Sequence, residues 1–123
     1  MHDYESQTKL FKALMHPTRL AILDVLREGE QCVCHLETYL GLRQANISQQ
    51  LMTLREAGLV QDRRDGWNIF YRVVKPEVYE IVDIARSMQA ADNAGLGYTL
   101  EPKIHKAECP CPKCQLSLGQ APA

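Results

Sequence analysis

No apolar run in these 123 residues approaches the roughly 18 that a membrane-spanning helix needs. The opening Met1-His2-Asp3-Tyr4-Glu5 lacks the basic region and apolar stretch of a secretory leader. A soluble cytoplasmic protein with no membrane partner is therefore expected. No set of nucleophile, base and orienting third group is present, so neither catalysis nor an organic cofactor is expected. Charge of one sign is not in excess either, the net value being −1. Cysteine is missing from most of the chain, and all five fall in Cys32-Val33-Cys34 and Cys109-Pro110-Cys111-Pro112-Lys113-Cys114. In a reducing compartment such clusters are more often metal-binding or redox-active than structural, and an odd number argues against full pairing.

What is present suffices for one modest core, with 46% hydrophobic and 24% charged residues and no internal repeat. Leu10, Phe11 and Leu14 recur at helical spacing over 4–15. Pro17 suits the first turn of a second helix, whose apolar side is Leu20, Ile22, Leu23 and Leu26. From Cys32, the positions Val33, Leu36 and Leu40 predict a short third helix stopped by Gly41. A fourth, from Gln44 to Ala57, turns Ile47, Leu51 and Leu54 inward and leaves Ala45, Gln49 and Met52 outward, with Asn46 and Ser48 beside them. Two helices joined by a glycine-containing corner, the second with a small polar outer face, form a helix-turn-helix pattern.

Two β-rich runs, Leu59 to Asp65 and Trp67 to Val74, flank Asp65-Gly66, a strong hairpin signal. The expected fold is mainly α with a small β-hairpin (α+β): a winged helix-turn-helix of five helices and a two-stranded wing bearing Arg63, Arg64, Asn68 and Arg72. Pro76 opens the last helix, with Val78, Ile81, Val82, Ala85 and Met88 along one side. Residues 1–91 are read as the winged-helix DNA-binding domain. Residues 92–123, holding four of the six prolines, are read as an extended tail. Charge becomes informative once divided, because residues 43–75 carry six basic against three acidic side chains, a local +3 that suits phosphate contact.

Several ordered segments carry a family resemblance: Leu14-Met15-His16-Pro17-Thr18-Arg19-Leu20-Ala21-Ile22-Leu23, Cys32-Val33-Cys34-His35-Leu36, Ser48-Gln49-Gln50-Leu51 and Leu54-Arg55-Glu56-Ala57-Gly58-Leu59-Val60. Over about residues 8 to 90 the chain resembles the arsenic- and metal-sensing ArsR/SmtB repressors. That resemblance implies a winged-helix homodimer, paired through residues 4–15 and 77–90, that holds double-stranded operator DNA until an inducer loosens it. It implies base reading from Gln44, Ala45, Ser48 and Gln49, where glutamine suits an adenine edge and serine can reach base or phosphate. Arg43 and Asn46 flank these positions. Two residues depart from the family. Ala45 replaces a frequent hydroxyl and offers only a methyl contact to thymine. Arg43 replaces a frequent serine cap worth about 1 kcal/mol but adds a phosphate-directed cation. An ordinary solvated helix face is the competing reading of these polar residues.

The Cys-Val-Cys segment resembles the inducer site of arsenic-, cadmium- or lead-responsive relatives. Thiolates suit soft ions, and a helix amino end favours the thiolate. Residues two apart on a regular helix diverge, however, so either Cys32 precedes the helix or its first turn unwinds around the ion. Distortion there would be passed to the packed helix bearing Gln44 to Gln49. Two sulfurs do not complete a three-sulfur arsenic or lead site, so Cys109, Cys111 and Cys114 are expected to complete the metal site. An extended chain from Ala91 to Cys109 spans about 60 Å, enough to reach either subunit. His105 is a minor candidate, whereas His2, His16 and His35 read as structural or incidental. A zinc site on the last helix is not expected, because residues 77–104 hold no histidine.

The sequence thus predicts a repressor released by arsenite, or next by cadmium or lead. Its rivals are a redox- or sulfide-responsive repressor of the same fold and a cysteine-rich metal buffer without operator specificity. Buried cysteine packing is the simpler assignment for Cys32.

Overall fold

A computed structural model describes residues 3–90. Five helices and three strands follow in the order α1 Tyr4–Leu14, α2 Pro17–Leu26, β1 Gln31–Cys32, α3 Val33–Leu40, α4 Gln44–Glu56, β2 Val60–Asp65, β3 Asn68–Val73 and α5 Glu77–Ala90. The expected helix-turn-helix and wing are both present. Asp3 caps α1 by accepting from the Glu5 and Ser6 N–H groups at 3.1 and 3.2 Å. The corner before α2 combines Pro17 at its first turn with His16 as cap, whose Nδ1 accepts from the Thr18 N–H at 3.1 Å. His16 is thus structural, as its position suggested. Gly41, at φ 66°, ends α3 in the left-handed conformation that a side chain would strain.

The sheet departs from expectation in two ways. Its order is β1-β3-β2, all antiparallel, so a third strand joins the two-stranded wing. Two residues are too few to show a period of two, so this strand left no pattern in the sequence. The hairpin also turns at Gly66-Trp67 rather than at Asp65-Gly66, because Asp65 still pairs with Asn68. Gly66 has φ 61°, and no other residue type in the described chain has positive φ, which fits a type II′ turn. Trp67 therefore sits at the wing tip, fully exposed, rather than opening the strand.

Ile22, Leu23, Leu36, Ile47, Leu51, Leu54 and Leu59 are fully buried, so α2, α3, α4 and the start of β2 meet in one core. Burial of such side chains is worth about 1.5–3 kcal/mol each. The inward stripe predicted for α4 is correct. α5 packs Val78 and Val82 into the same core. It is fastened to α2 by Arg27, which donates to both Asp83 oxygens at 3.0 and 2.9 Å, and by Arg86 to Asp24 at 2.8 Å. Arg27 also lies 4.4 Å over the Tyr79 ring, while the Tyr79 hydroxyl donates to the Leu23 carbonyl at 2.7 Å.

Candidate functional site

α4 presents Arg43, Gln44, Ala45, Ser48 and Gln49 to solvent on the side opposite its buried stripe. Arg43 occupies the cap position in extended conformation and makes no side-chain cap bond, leaving its guanidinium exposed. Asn46 behaves differently. It is half-buried, and its Oδ1 accepts from Gln50 Nε2 at 3.1 Å. The buried Gln50 accepts in turn from Arg19 Nη1 at 2.8 Å. Arg19 also donates to the Ala13 and Lys12 carbonyls at 2.7 and 3.1 Å. Three helices are thus tied through one polar relay, and Asn46 is turned into it. Arg19 and Gln50 escaped the sequence reading, although a glutamine on the apolar stripe beside Leu51 was a visible signal.

The wing residues are not equivalent. Arg63 grips Glu30 with two bonds of 3.1 and 2.6 Å and lies 4.8 Å over the Phe70 ring. The Arg72 guanidinium donates to Gln61 Oε1 at 3.0 Å. Arg64 is exposed, and half-buried Asn68 stands at the turn opposite Asp65. Beside them Trp67 projects from the tip, a residue not assigned to the surface in advance. A two-residue turn placed one position later than expected explains the omission.

Cys32 lies before the helix. It is the last residue of β1 and the cap of α3, with φ −78° and ψ 156°, and its Sγ accepts from the His35 N–H at 3.1 Å. The divergence expected of a regular turn therefore does not arise. Cys32 and Phe70 are buried together, apart from the main core, and half-buried Cys34 packs against them. Burial of Cys32 agrees with the packing assignment, yet Phe70, buried beside it, belongs to the wing. His35 is buried and stacks at 5.2 Å on Tyr39, a core role. Among the described residues no group of three or more His, Cys, Asp or Glu could hold a metal ion. Cys109, Cys111, Cys114 and His105 lie outside the described residues, as does all of the predicted tail, 92–123.

Fold and surface together define a winged helix-turn-helix regulator. The profile of the bacterial regulatory protein, arsR family, matches residues 16–62. An uncharacterized HTH-type transcriptional regulator of Mycobacterium tuberculosis, Rv0081, is 40% identical over 88 residues, covering 71% of this chain and 77% of that one. The crystal structure of Rv0081 superposes with a TM-score of 0.66 at 38% identity, over 74% of this chain and 92% of that chain. The arsenic resistance transcriptional regulator ArsR1 of Pseudomonas putida is 48% identical over 75 residues, 60% of this chain and 58% of its own length. A homodimeric winged helix-turn-helix DNA-binding domain of Mycobacterium bovis, Mb0332, gives a TM-score of 0.63 at 31% identity, over 74% of this chain and 82% of that chain. The chain belongs to the ArsR family. It is a repressor-like transcriptional regulator, not an enzyme, and no described helix is long and apolar enough to cross a membrane.

Proposed function

We propose that this regulator is a homodimeric repressor that releases operator DNA when a thiophilic ion is captured by Cys32, Cys34 and tail cysteines. Arsenite is the first choice of inducer, followed by cadmium or lead. The observation that carries this reading is the meeting of Cys32 and Cys34 at the start of α3, where the helix-turn-helix joins the sheet of the wing. A three-sulfur arsenic site would need one more thiol, and Cys109, Cys111 and Cys114 are the remaining supply. Each As–S bond forms as a thiol proton leaves with an arsenite hydroxide as water, so no oxidant is required.

DNA contact is assigned to Arg43, Gln44, Ala45, Ser48 and Gln49 in the major groove, with Arg64, Asn68 and Trp67 at the wing. Pairing of two subunits through α1 and α5 is supported by Phe11, Met15, Ile84 and Met88, which are 50%, 74%, 62% and 70% exposed. Phe11, Leu14, Met15, Ile81 and Val82 line one groove between these helices.

The test is binding to duplexes from upstream of its own coding sequence, with arsenite, cadmium, lead and zinc, for the wild type and each Cys→Ser variant. Arsenite should weaken binding by about 5–150-fold, and Cys32→Ser or Cys34→Ser should abolish the response. Release by oxidant in metal-free buffer would instead indicate a redox switch. Protection of no upstream duplex would indicate a metal buffer.

A further inference from the structure

The strand pairing aligns three residues in a single row across the sheet: Arg63 on β2 opposite Phe70 on β3, and Phe70 opposite Cys32 on β1. Cross-strand partners share a face, so the Phe70 ring stands between the thiol and the guanidinium. Arg63 then reaches over that ring to Glu30, the residue just before β1. One side chain therefore straps all three strands, from the wing's outer strand to the residue preceding the thiol strand.

β1 is also the weakest part of the sheet. It has only two residues, and on its other face the buried Gln31 Oε1 has no hydrogen-bond partner among the described residues. A buried acceptor without a partner costs free energy that opening would recover. Cys32 is 1% exposed and packed with Phe70, with Cys34 against them, so turning its sulfur toward an ion shared with Cys34 strains the Cys32–Phe70 contact.

We propose that β1 is a detachable clasp between the thiol site and the wing, held by the Glu30–Arg63 strap across Phe70. Ligation of Cys32 opens it and frees the wing. This deepens the function proposed above by naming the path of regulation, which runs through the sheet rather than from α3 directly into α4. The closed clasp fixes the wing in its DNA-holding pose. Loss of the Cys32–Phe70 contact draws β1, and Glu30 with it, away from the hairpin that carries Phe70 and Arg63, and the strap fails.

Amide hydrogen exchange on the full-length dimer tests the clasp without requiring any ion. Glu30→Gln removes the charge that holds the strap. It should speed exchange of residues 68–73 about tenfold, leave residues 47–54 unchanged, and weaken operator binding about threefold to tenfold. Wild-type exchange and wild-type DNA affinity in Glu30→Gln would overturn the proposal. Arsenite added to the wild type should accelerate the same 68–73 segment. If arsenite releases DNA while 68–73 stays protected and 44–56 loosens, the clasp is wrong although the inducer reading stands. If Glu30→Gln loosens the wing but arsenite does nothing to the wild type, the clasp stands and the inducer reading fails.

Discussion

The two parts of the proposed DNA-reading surface, α4 and the wing, are secured by different physics. α4 is seated by Ile47, Leu51 and Leu54, all fully buried, and by the Arg19–Gln50–Asn46 relay behind them. The wing is rooted in the same core through Val60, with Ile69, Tyr71 and Val73 packed against it, while its outer side is held by the Arg63–Glu30 pair, the Arg72–Gln61 bond, an Arg55–Asp62 pair at 3.5 Å and a two-residue edge strand. Apolar burial cannot be switched without unfolding the domain, whereas exposed pairs open at small cost. Under the proposed switch, a signal from the thiols therefore has an easier route into the outer side of the wing than into α4.

The sharpest way to break this contrast is to empty the seat of α4. Leu51→Ala should cost about 2–5 kcal/mol of global stability in denaturant titration, because the cavity is closed in on all sides. Arg63→Ala should leave the unfolding midpoint nearly unchanged while reducing operator affinity. Equal loss of stability in the two variants would erase the distinction. The next largest effect is expected at Gln50. Gln50→Leu keeps the apolar stripe but strips Arg19 and Asn46 of a buried partner, for about 1–3 kcal/mol. Asn46 would then be free to turn outward, so operator preference should change along with stability.

Sequence pattern carried the helices and the hairpin of the wing and missed the third strand and the polar contacts across it, for the same reason. Ile47, Leu51 and Leu54 repeat at helical spacing because burial demands it, and Gly41 marks a helix end because its φ demands it. No such demand acts on Gln31-Cys32, whose membership of the sheet is decided by Phe70 and Tyr71 some 40 residues later. The Glu30–Arg63 strap is likewise a long-range pairing between two unremarkable surface residues. Of the two alternatives the sequence left for Cys32, the structure holds the one in which it precedes the helix and caps it. The left-over polar residue on an apolar stripe, Gln50, was the one clue to the relay that the sequence displayed.

α5 combines both kinds of attachment and sharpens the comparison through pH. Arg27 holds the Asp83 carboxyl below its ordinary value of 3.8, so this contribution is present above about pH 4 and lost as pH falls through the depressed value. Burial pushes Tyr79 up to about 12, so its contribution is complete below about pH 10 and lost as pH rises through 12. Dimer dissociation measured against pH should show a plateau between these limits. Asp83→Asn should remove the acid limb, and Tyr79→Phe the alkaline one, while the burial of α4 keeps the helix-turn-helix folded between them.

The smallest expected effect separates seating from reading within α4 itself. Arg43 stands at the cap of α4 without making a cap bond, so Arg43→Ser should supply an acceptor for the first free N–H groups and stabilise the fold by about 1 kcal/mol. The same change removes an exposed cation from the helix end proposed to meet the DNA backbone. Operator affinity should fall, and the slope of log affinity against log salt should become shallower by about one ion. A variant that is more stable yet binds DNA less tightly would show that the residue at this cap serves the phosphate rather than the helix. Unchanged affinity and salt slope would place Arg43 outside the interface and leave α4 to dock through Gln44, Ser48 and Gln49 alone.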